Sequence, residues 1–375
     1  MHMKIGITCH PSAGGSGIMA TELGIALSKR GYEVHFVTAE TPFRLTEYRK
    51  NIYCHTVNVV SYPLFRNPPA SLALASKISE VAEEYDIKLW HVHYAIPNAA
   101  CAIMARDMLP PEKRFKIITT LHGTDITLVG ADPSFFRITK YAMERSDAVT
   151  AVSKWLTEET EREFDLHQPV HTVYNFLDVD KFSMHSPEHC NLSHDGKKII
   201  MHISNFRPVK RVTDIVRAFN KILEKVDAKL VMVGDGPERL SAVGVAKQLG
   251  ISEHITYLGT YENIENILPC ADLVFQPSEH ESFGLTHLEA MVCKVPVLAT
   301  NSGGVTEVVE HGVTGYLTEV GDIDTMAQYA VDILSDEALA KSMGEKGRQR
   351  ALKCFDKEAI IDQYEALYRS MFNEH

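Results

Sequence analysis

The sequence predicts an α/β protein made of two doubly wound, Rossmann-like domains facing a central cleft. Three observations predict it. At 375 residues the chain is too long for one ordinary core and suits two domains of roughly 150–200 residues each. Short apolar strands alternate with amphipathic helices in two series, separated by a break in the pattern. The first series opens with strand, Gly-rich loop, helix and strand, a βαβ unit that demands a parallel sheet with its ligand crevice at the strand C-termini.

In chain order, Lys4–Cys9 reads as a strand, Pro11–Gly17 as a Gly-rich loop, Ile18–Arg30 as a helix and Glu33–Thr38 as a second strand. Ser71–Glu84 carries Leu72, Ala75, Ile78 and Ala82 on one helical face, and Lys88–His93, Lys116–Leu121 and Ala148–Val152 follow as strands. Around Gln168–Asp195 the alternation fails amid Pro169, Asn175 and Pro187, which marks the inter-domain linker. It then restarts with the strand Lys198–Ile203, the helix Val212–Val226 and the strand Ala228–Gly234. Strands at Ile255–Leu258, Leu273–Gln276 and Val295–Ala299 come next, each expected after a helix, and helices at Thr325–Leu334, Glu337–Cys354 and Lys357–Phe372 close the chain. The expected domains are 1–170 and 171–356, with a C-terminal helix, 357–375, packing back on the first.

Composition narrows the function. With 38 Lys+Arg against 49 Asp+Glu the formal charge is −11, and the basic residues form no long run, so nucleic acid is not the expected partner. No window approaches about 18 consecutive apolar residues and no signal-peptide layout opens the chain, so no membrane association and a cytoplasmic location are expected. Cys9, Cys54, Cys101, Cys190, Cys270, Cys293 and Cys354 are scattered, with no Cys-x-x-Cys pair, which reads as reduced core thiols and no structural zinc.

The stretch with the densest chemistry is Glu281-Ser282-Phe283-Gly284-Leu285-Thr286-His287-Leu288-Glu289, read as the loop and helix start after the strand that ends at Gln276. Gly284 allows close backbone approach, and the free N–H groups opening the helix can hold an anion or hydroxyl. Glu281 and Glu289 bracket that turn and, about 5 Å apart along the axis, could face one cleft as acceptors for the hydroxyls of a sugar and a ribose. Ser204-Asn205-Phe206-Arg207-Pro208-Val209-Lys210-Arg211 lies between a strand and a helix. Its three cations suit a diphosphate, Arg207 by bidentate bonding and Lys210 as a point charge. The backbone of Tyr257–Tyr261 could read a base edge, with Tyr261 stacking. Gly234-Asp235-Gly236-Pro237 and Asn301-Ser302-Gly303-Gly304 with Glu307 read as turns. Gly14-Gly15-Ser16-Gly17 lacks the dinucleotide spacing and fits equally an anion-holding helix start or a tight turn. His91 and His93 share one strand face and read as core histidines rather than metal ligands.

In this order the Gly-rich loop, His122, Asn175, the Arg207–Lys210 turn, Gly234-Asp235-Gly236-Pro237 and Glu281-x-Phe283-Gly284-x5-Glu289 resemble the retaining GT-B glycosyltransferases of family four over essentially the whole chain. The resemblance implies that Lys210 and Arg207 hold the UDP diphosphate and that Glu289 holds the ribose. Glu281 and the amides of Phe283, Gly284 and Leu285 would take the sugar hydroxyls, and His122 the sugar's 6-hydroxyl. Gly15, Ser16, Asn175, Ser204, Asn205, Tyr261 and Ser282 complete the expected donor site. No metal and no other cofactor is implied. The family often has Gly-Arg where this chain has Ser204-Asn205, so the usual phosphate arginine is missing there and Arg207 is the substitute at hand.

A closer resemblance, carried by His10-Pro11-Ser12, Leu121-His122-Gly123-Thr124-Asp125-Ile126-Thr127 and Asn175-Phe176-Leu177-Asp178, is to the branch of the family that glycosylates L-malate from UDP-N-acetylglucosamine in bacillithiol biosynthesis. The acceptor dianion is expected in the first domain, at Ser16 and Gly17 on a helix start, Tyr94, Thr119, Thr120 and Thr124 around two strand ends, and Arg137. The partners are then two small molecules, and a homo-oligomer is allowed. A sibling transferase using an inositol phosphate, a nucleotide-sugar epimerase and a non-catalytic sugar sensor remain the rival readings, separable by which acceptor, if any, releases UDP.

Overall fold

The computed structural model describes residues 3–11, 14–45, 47–59, 69–183, 192 and 196–373. The chain divides into two compact units, Met1–Asn175 with Glu358–His375, and Phe176–Lys357. Ser12, Ala13, Pro187, Cys190 and Asp195, which the loop, linker and cysteine readings included, lie outside the described residues.

The first unit runs β1 (Lys4–Thr8), α1 (Gly15–Lys29), β2 (Glu33–Thr38), β3 (Ile52–Thr56), α2 (Ala70–Tyr85), β4 (Leu89–His93), α3 (Ala100–Met108), β5 (Lys116–Leu121), α4 (Thr124–Thr127), α5 (Phe136–Glu144), β6 (Ala148–Ala151), α6 (Lys154–Phe164) and β7 (Val170–Thr172). Its seven strands are parallel in the order β3-β2-β1-β4-β5-β6-β7. Because helices cover both faces, β4 is buried along its whole length despite two histidines. Trp90 fills the space that Gly6 leaves open: a Cβ there would stand 2.3 Å from the indole. Trp90 Nε1 donates to Thr8 Oγ1 at 3.0 Å, so the largest buried side chain also satisfies its polar atom.

The second unit runs α7 (Val179–Ser183), β8 (Lys198–Ile203), α8 (Val212–Leu223), β9 (Ala228–Val233), α9 (Arg239–Leu249), β10 (Ile255–Gly259), β11 (Leu273–Gln276), α10 (Leu285–Val292), β12 (Val297–Thr300), α11 (Val305–Val308), β13 (Gly315–Thr318), α12 (Ile323–Ser335) and α13 (Glu337–Cys354). Its six parallel strands are ordered β10-β9-β8-β11-β12-β13. One core joins the strands to α8 and α12 through Phe219, Phe275, Leu298 and Met326. The last helix, α14 (Lys357–Asn373), belongs to the first unit from Glu358 onward, where Tyr368 meets His91 Nδ1 at 2.8 Å and Arg30 pairs with Asp362 at 2.6 Å.

Several elements differ from expectation. The first helix opens at Gly15, three residues early; β7 is a strand within the stretch read as linker, and β3 and β13 are strands where the sequence reading assigned none. All three are short edge strands and only partly buried, so the hydrophobic alternation that betrays a strand is weak. No α-helix precedes β11 after β10: the 3₁₀ turns Ile264–Asn266 and Leu268–Cys270 fill the interval, where Pro269 disfavours a longer helix. Cys270 is disulfide-bonded, against the expectation of seven reduced thiols, whereas Cys9, Cys54, Cys101, Cys293 and Cys354 are free. No described helix is long and apolar enough to cross a membrane.

Candidate active site

Strand order reverses between β1 and β4 in the first unit and between β8 and β11 in the second, and at such switch points the loops leaving the two strands diverge to open a crevice. In the second unit these are the loops after Ile203 and after Gln276. Lys210, from the first, reaches Glu281, from the second, with Nζ to Oε2 at 2.5 Å, and the Glu279 N–H donates to the Val209 carbonyl at 2.7 Å. Burial alone pushes the Glu281 carboxyl up, but Lys210, together with His287 and Ser278, outweighs it and leaves the acid below its ordinary range. Arg207 is exposed on the same turn. Arg211, the third cation of the turn, holds a left-handed conformation at φ 49° and bonds Asp214 through Nε at 2.6 Å.

Gly284 caps α10 with φ 94°, and its missing side chain makes room for His287, whose Nδ1 would lie 2.5 Å from a Cβ there. The His287 ring is buried and held down to about pKa 4, mainly by desolvation. Phe283 is buried edge-on to Phe355 at 5.4 Å, while Ser282 and Leu285 are half-buried at the helix start. Glu289 lies inside the unit at 3% exposure, so it is no solvated helix acid. Asn205 is exposed and Tyr261 is 40% exposed beyond β10. The Ser204 hydroxyl is turned to His202 Nε2 at 2.7 Å.

The first unit's crevice holds rings and hydroxyls. His10 follows β1, Tyr94 follows β4 and His122 follows β5; the Tyr94 ring lies 5.0 Å from His10 and 5.4 Å from His122. Tyr94 Oη meets Thr124 Oγ1 at 3.2 Å, and His93 Nδ1 meets His122 Nε2 at 2.9 Å. Burial, and then the neighbouring His93, hold His122 well below the ordinary histidine range, so it is neutral at pH 7. Asp125 shapes this loop by accepting from the N–H groups of Ala95, His122 and Gly123 at 3.0, 3.1 and 2.9 Å. Burial still pushes its carboxyl up to about 6.

Gly15, Ser16 and Gly17 form the first turn of α1 beyond the extended Gly14, on the β1 side of this crevice. Asn175, buried, ends the first unit's main stretch. Arg137 is exposed near the start of α5. Thr119 and Thr120 do not converge with these groups. Adjacent strand residues point to opposite sheet faces, so Thr119 bonds Ser146 at 2.7 Å and Thr120 bonds His91 and Thr150, each at 2.7 Å, all within the core. His91 and His93 do share a face, stacked at 4.6 Å. Sequence reasoning gave no role to His10, Asp125, His202 or His287. For Asp125 a signal existed: an Asp three residues after His122, across a glycine, can fold back onto preceding N–H groups.

The chain matches two family models: "Glycosyltransferase Family 4" over residues 13–181 and "Glycosyl transferases group 1" over residues 189–350. It is 47% identical to the N-acetyl-alpha-D-glucosaminyl L-malate synthase of Bacillus anthracis, with 100% of this chain and 98% of that protein covered. Among solved structures it resembles the sucrose-phosphate synthase of Thermosynechococcus elongatus, at TM-score 0.83 and 23% identity over 99% of both chains. Anabaena HepE in complex with UDP-glucose matches at TM-score 0.83 and 21% identity, over 98% of this chain and 100% of that one. At these identities the two structures show the shared fold.

Proposed function

This chain belongs to the family 4 glycosyltransferases, and on that premise we propose that it transfers N-acetylglucosamine from UDP-N-acetylglucosamine to the hydroxyl of L-malate with retention of configuration, the first step of bacillithiol biosynthesis. The observation that carries the transferase chemistry is the Lys210–Glu281 pair across the β8/β11 crevice, with Arg207 on the same turn. The full-length identity to the malate synthase carries the choice of substrates.

In this reading the second unit takes the donor. Lys210 and Arg207 face the diphosphate, Glu281 and the start of α10 the sugar, and Glu289 the ribose. The bond from the anomeric carbon to the diphosphate oxygen breaks, its electron pair leaves with UDP, and the malate hydroxyl oxygen bonds that carbon on the same face. The hydroxyl proton passes to a phosphate oxygen of the leaving group. Preorganised donors aimed at the growing negative charge lower the barrier by about 3–4 kcal/mol each in comparable sites. The first unit takes malate near Tyr94, Thr124 and the start of α1, with His122 against the sugar's 6-hydroxyl. Cationic side chains do the work of a divalent ion, so turnover should persist in EDTA, and dependence on added magnesium or manganese would overturn that part. Both substrates are metabolites of the cytoplasm, where the enzyme is expected to act.

The deciding assay incubates the protein with UDP-N-acetylglucosamine and a panel of hydroxy acids and inositol phosphates and follows UDP release. Malate should give the fastest release. Faster glycosylation of an inositol phosphate would overturn the acceptor, and no release with any acceptor would overturn the transferase.

A further inference from the structure

We propose that His202 and Ser204 are positioning residues: a directed hydrogen-bond chain from the Phe275 carbonyl through the His202 ring and the Ser204 hydroxyl to the Phe206 N–H fixes the turn that presents Arg207 and Lys210. This rests on the reading of that turn as the diphosphate site.

Each link dictates the next. His202 Nδ1 lies 3.0 Å from the Phe275 carbonyl, which can only accept, so the ring's proton is on Nδ1. Nε2 is then an acceptor, and Ser204 Oγ, 2.7 Å away, must donate to it. That orients the serine lone pairs, one of which accepts the Phe206 N–H at 3.2 Å. Burial keeps the ring neutral, with its pKa pushed down to about 3, so the chain keeps one direction across the working range.

The chain holds a backbone that would not hold itself. Phe206 is a bulky residue at φ 39°, a conformation that persists only where the surroundings impose it. The opposite side of the turn is clamped by close backbone packing. A Cβ on Gly234 would stand 1.8 Å from the Ser204 carbonyl and one on Gly236 2.1 Å from the Asn205 carbonyl, and the Glu238 N–H donates to the Phe206 carbonyl at 2.9 Å. The chain also ties β8 to β11 where their ladder ends: the paired register covers Ile200 and Met201, after which His202 bonds the Phe275 carbonyl and Gln276 Nε2 bonds the Ile203 carbonyl at 2.9 Å. The switch point is therefore held by side chains at the depth where the phosphate turn departs.

The test compares Ser204→Ala, Ser204→Thr, His202→Gln and His202→Leu with the wild-type full chain, reading kcat, both KM values, UDP affinity by calorimetry and thermal midpoint. Small displacements of catalytic groups cost up to about 100-fold in rate. Ser204→Ala should lower kcat about 10-fold or more and weaken UDP several-fold, with the malate KM within about twofold. Ser204→Thr, which keeps the hydroxyl, should recover most of the loss. His202→Gln, whose amide can donate to Phe275 and accept from Ser204, should outperform His202→Leu. If Ser204→Ala does not fold, Ser204→Cys replaces it, since a thiol keeps the volume but donates weakly. A folded Ser204→Ala or Ser204→Cys with kcat and UDP affinity within twofold of wild type would overturn the proposal, as would a loss confined to thermal midpoint. A wild type that binds UDP but releases none with malate would count against the acceptor reading, while the UDP-affinity ratios would still decide the chain.

Discussion

At the β1/β4 junction of the first unit the side chains are His10, Tyr94 and, one strand over, His122 with Thr124, whereas the β8/β11 junction of the second carries Lys210, Glu281 and Arg207. The two junctions share a topology, and the two sheets share a construction detail elsewhere along their strands. In each sheet an aspartate just before a strand accepts the N–H at the start of its neighbour, Asp147 from Ile117 and Asp272 from Ile199, both at 2.8 Å. The difference lies in the loops beyond the strand ends. The histidines of one crevice are neutral, because burial strips them of their protons; the other crevice holds a half-buried ion pair whose lysine can re-pair with an incoming anion. Topology says where a ligand sits, and the residues leaving the strands decide its charge.

The comparison breaks most directly at the charged junction. On the proposed reading, in which Lys210 faces the departing diphosphate, Lys210→Ala should cut kcat about 100-fold while donor KM changes less. Single-turnover kinetics at near-normal rate would show that the charge there serves only the fold. A smaller loss is expected at the glycine between the acids. Gly284→Ala places a side chain at φ 94° and into His287, so about 1–3 kcal/mol of strain falls on the turn and the thermal midpoint should drop by several degrees. An unshifted melting curve would mean the turn relaxes freely.

The neutrality of the histidines can be tested by pH. His91 and His202 are pushed down to about 3 and His287 to about 4, each by burial. The unfolded chain takes these protons near 6.5 and the native state refuses them, so the stability they confer is complete above pH 6.5 and lost as pH falls toward 4 and then 3. Each ring withdraws about 1.4 kcal/mol per pH unit across that window. Asp125, raised to about 6, works the other way between 6 and 3.8, but it is one group against several. Urea midpoints should therefore fall clearly between pH 7 and pH 5, and a flat profile would mean the rings are protonated in the native state.

How much of this was legible in the sequence divides along the same line. Strands of the sheet interior, such as Glu33–Thr38, Lys116–Leu121, Lys198–Ile203 and Leu273–Gln276, announce themselves by mainly apolar, β-branched or aromatic composition and are almost wholly buried, while the edge strands β3 and β13 are only partly covered and carry a weaker signal. Lys210 and Glu281 were legible because charge on a loop after a buried strand has few other uses. Thr119 and Thr120 were misplaced because a strand end was treated as one location, although its alternate residues face opposite layers. His202 and Ser204 were obscure for a different reason: the chain they make runs to a backbone carbonyl on a strand 73 residues away in sequence.

The smallest expected effect tests the first unit's junction. Tyr94 holds a left-handed backbone at φ 83° with its ring between His10 and His122, and its hydroxyl meets Thr124 at 3.2 Å. Tyr94→Phe keeps the ring packing and removes only the hydroxyl, so any change reports that hydroxyl's hydrogen bonding. A bond to a carboxylate contributes about 1.5–3 kcal/mol, whereas one made equally in the bound and transition states raises KM and leaves kcat alone. The malate KM should therefore rise roughly 10-fold or more, with kcat and the donor KM within about twofold. Arg137→Ala, which removes an exposed guanidinium from α5, should move the same constant in the same direction but less, since solvent screens it. If neither substitution moves the malate KM while Lys210→Ala still cuts kcat as expected, the acceptor is held elsewhere and the first unit's crevice serves only the sugar.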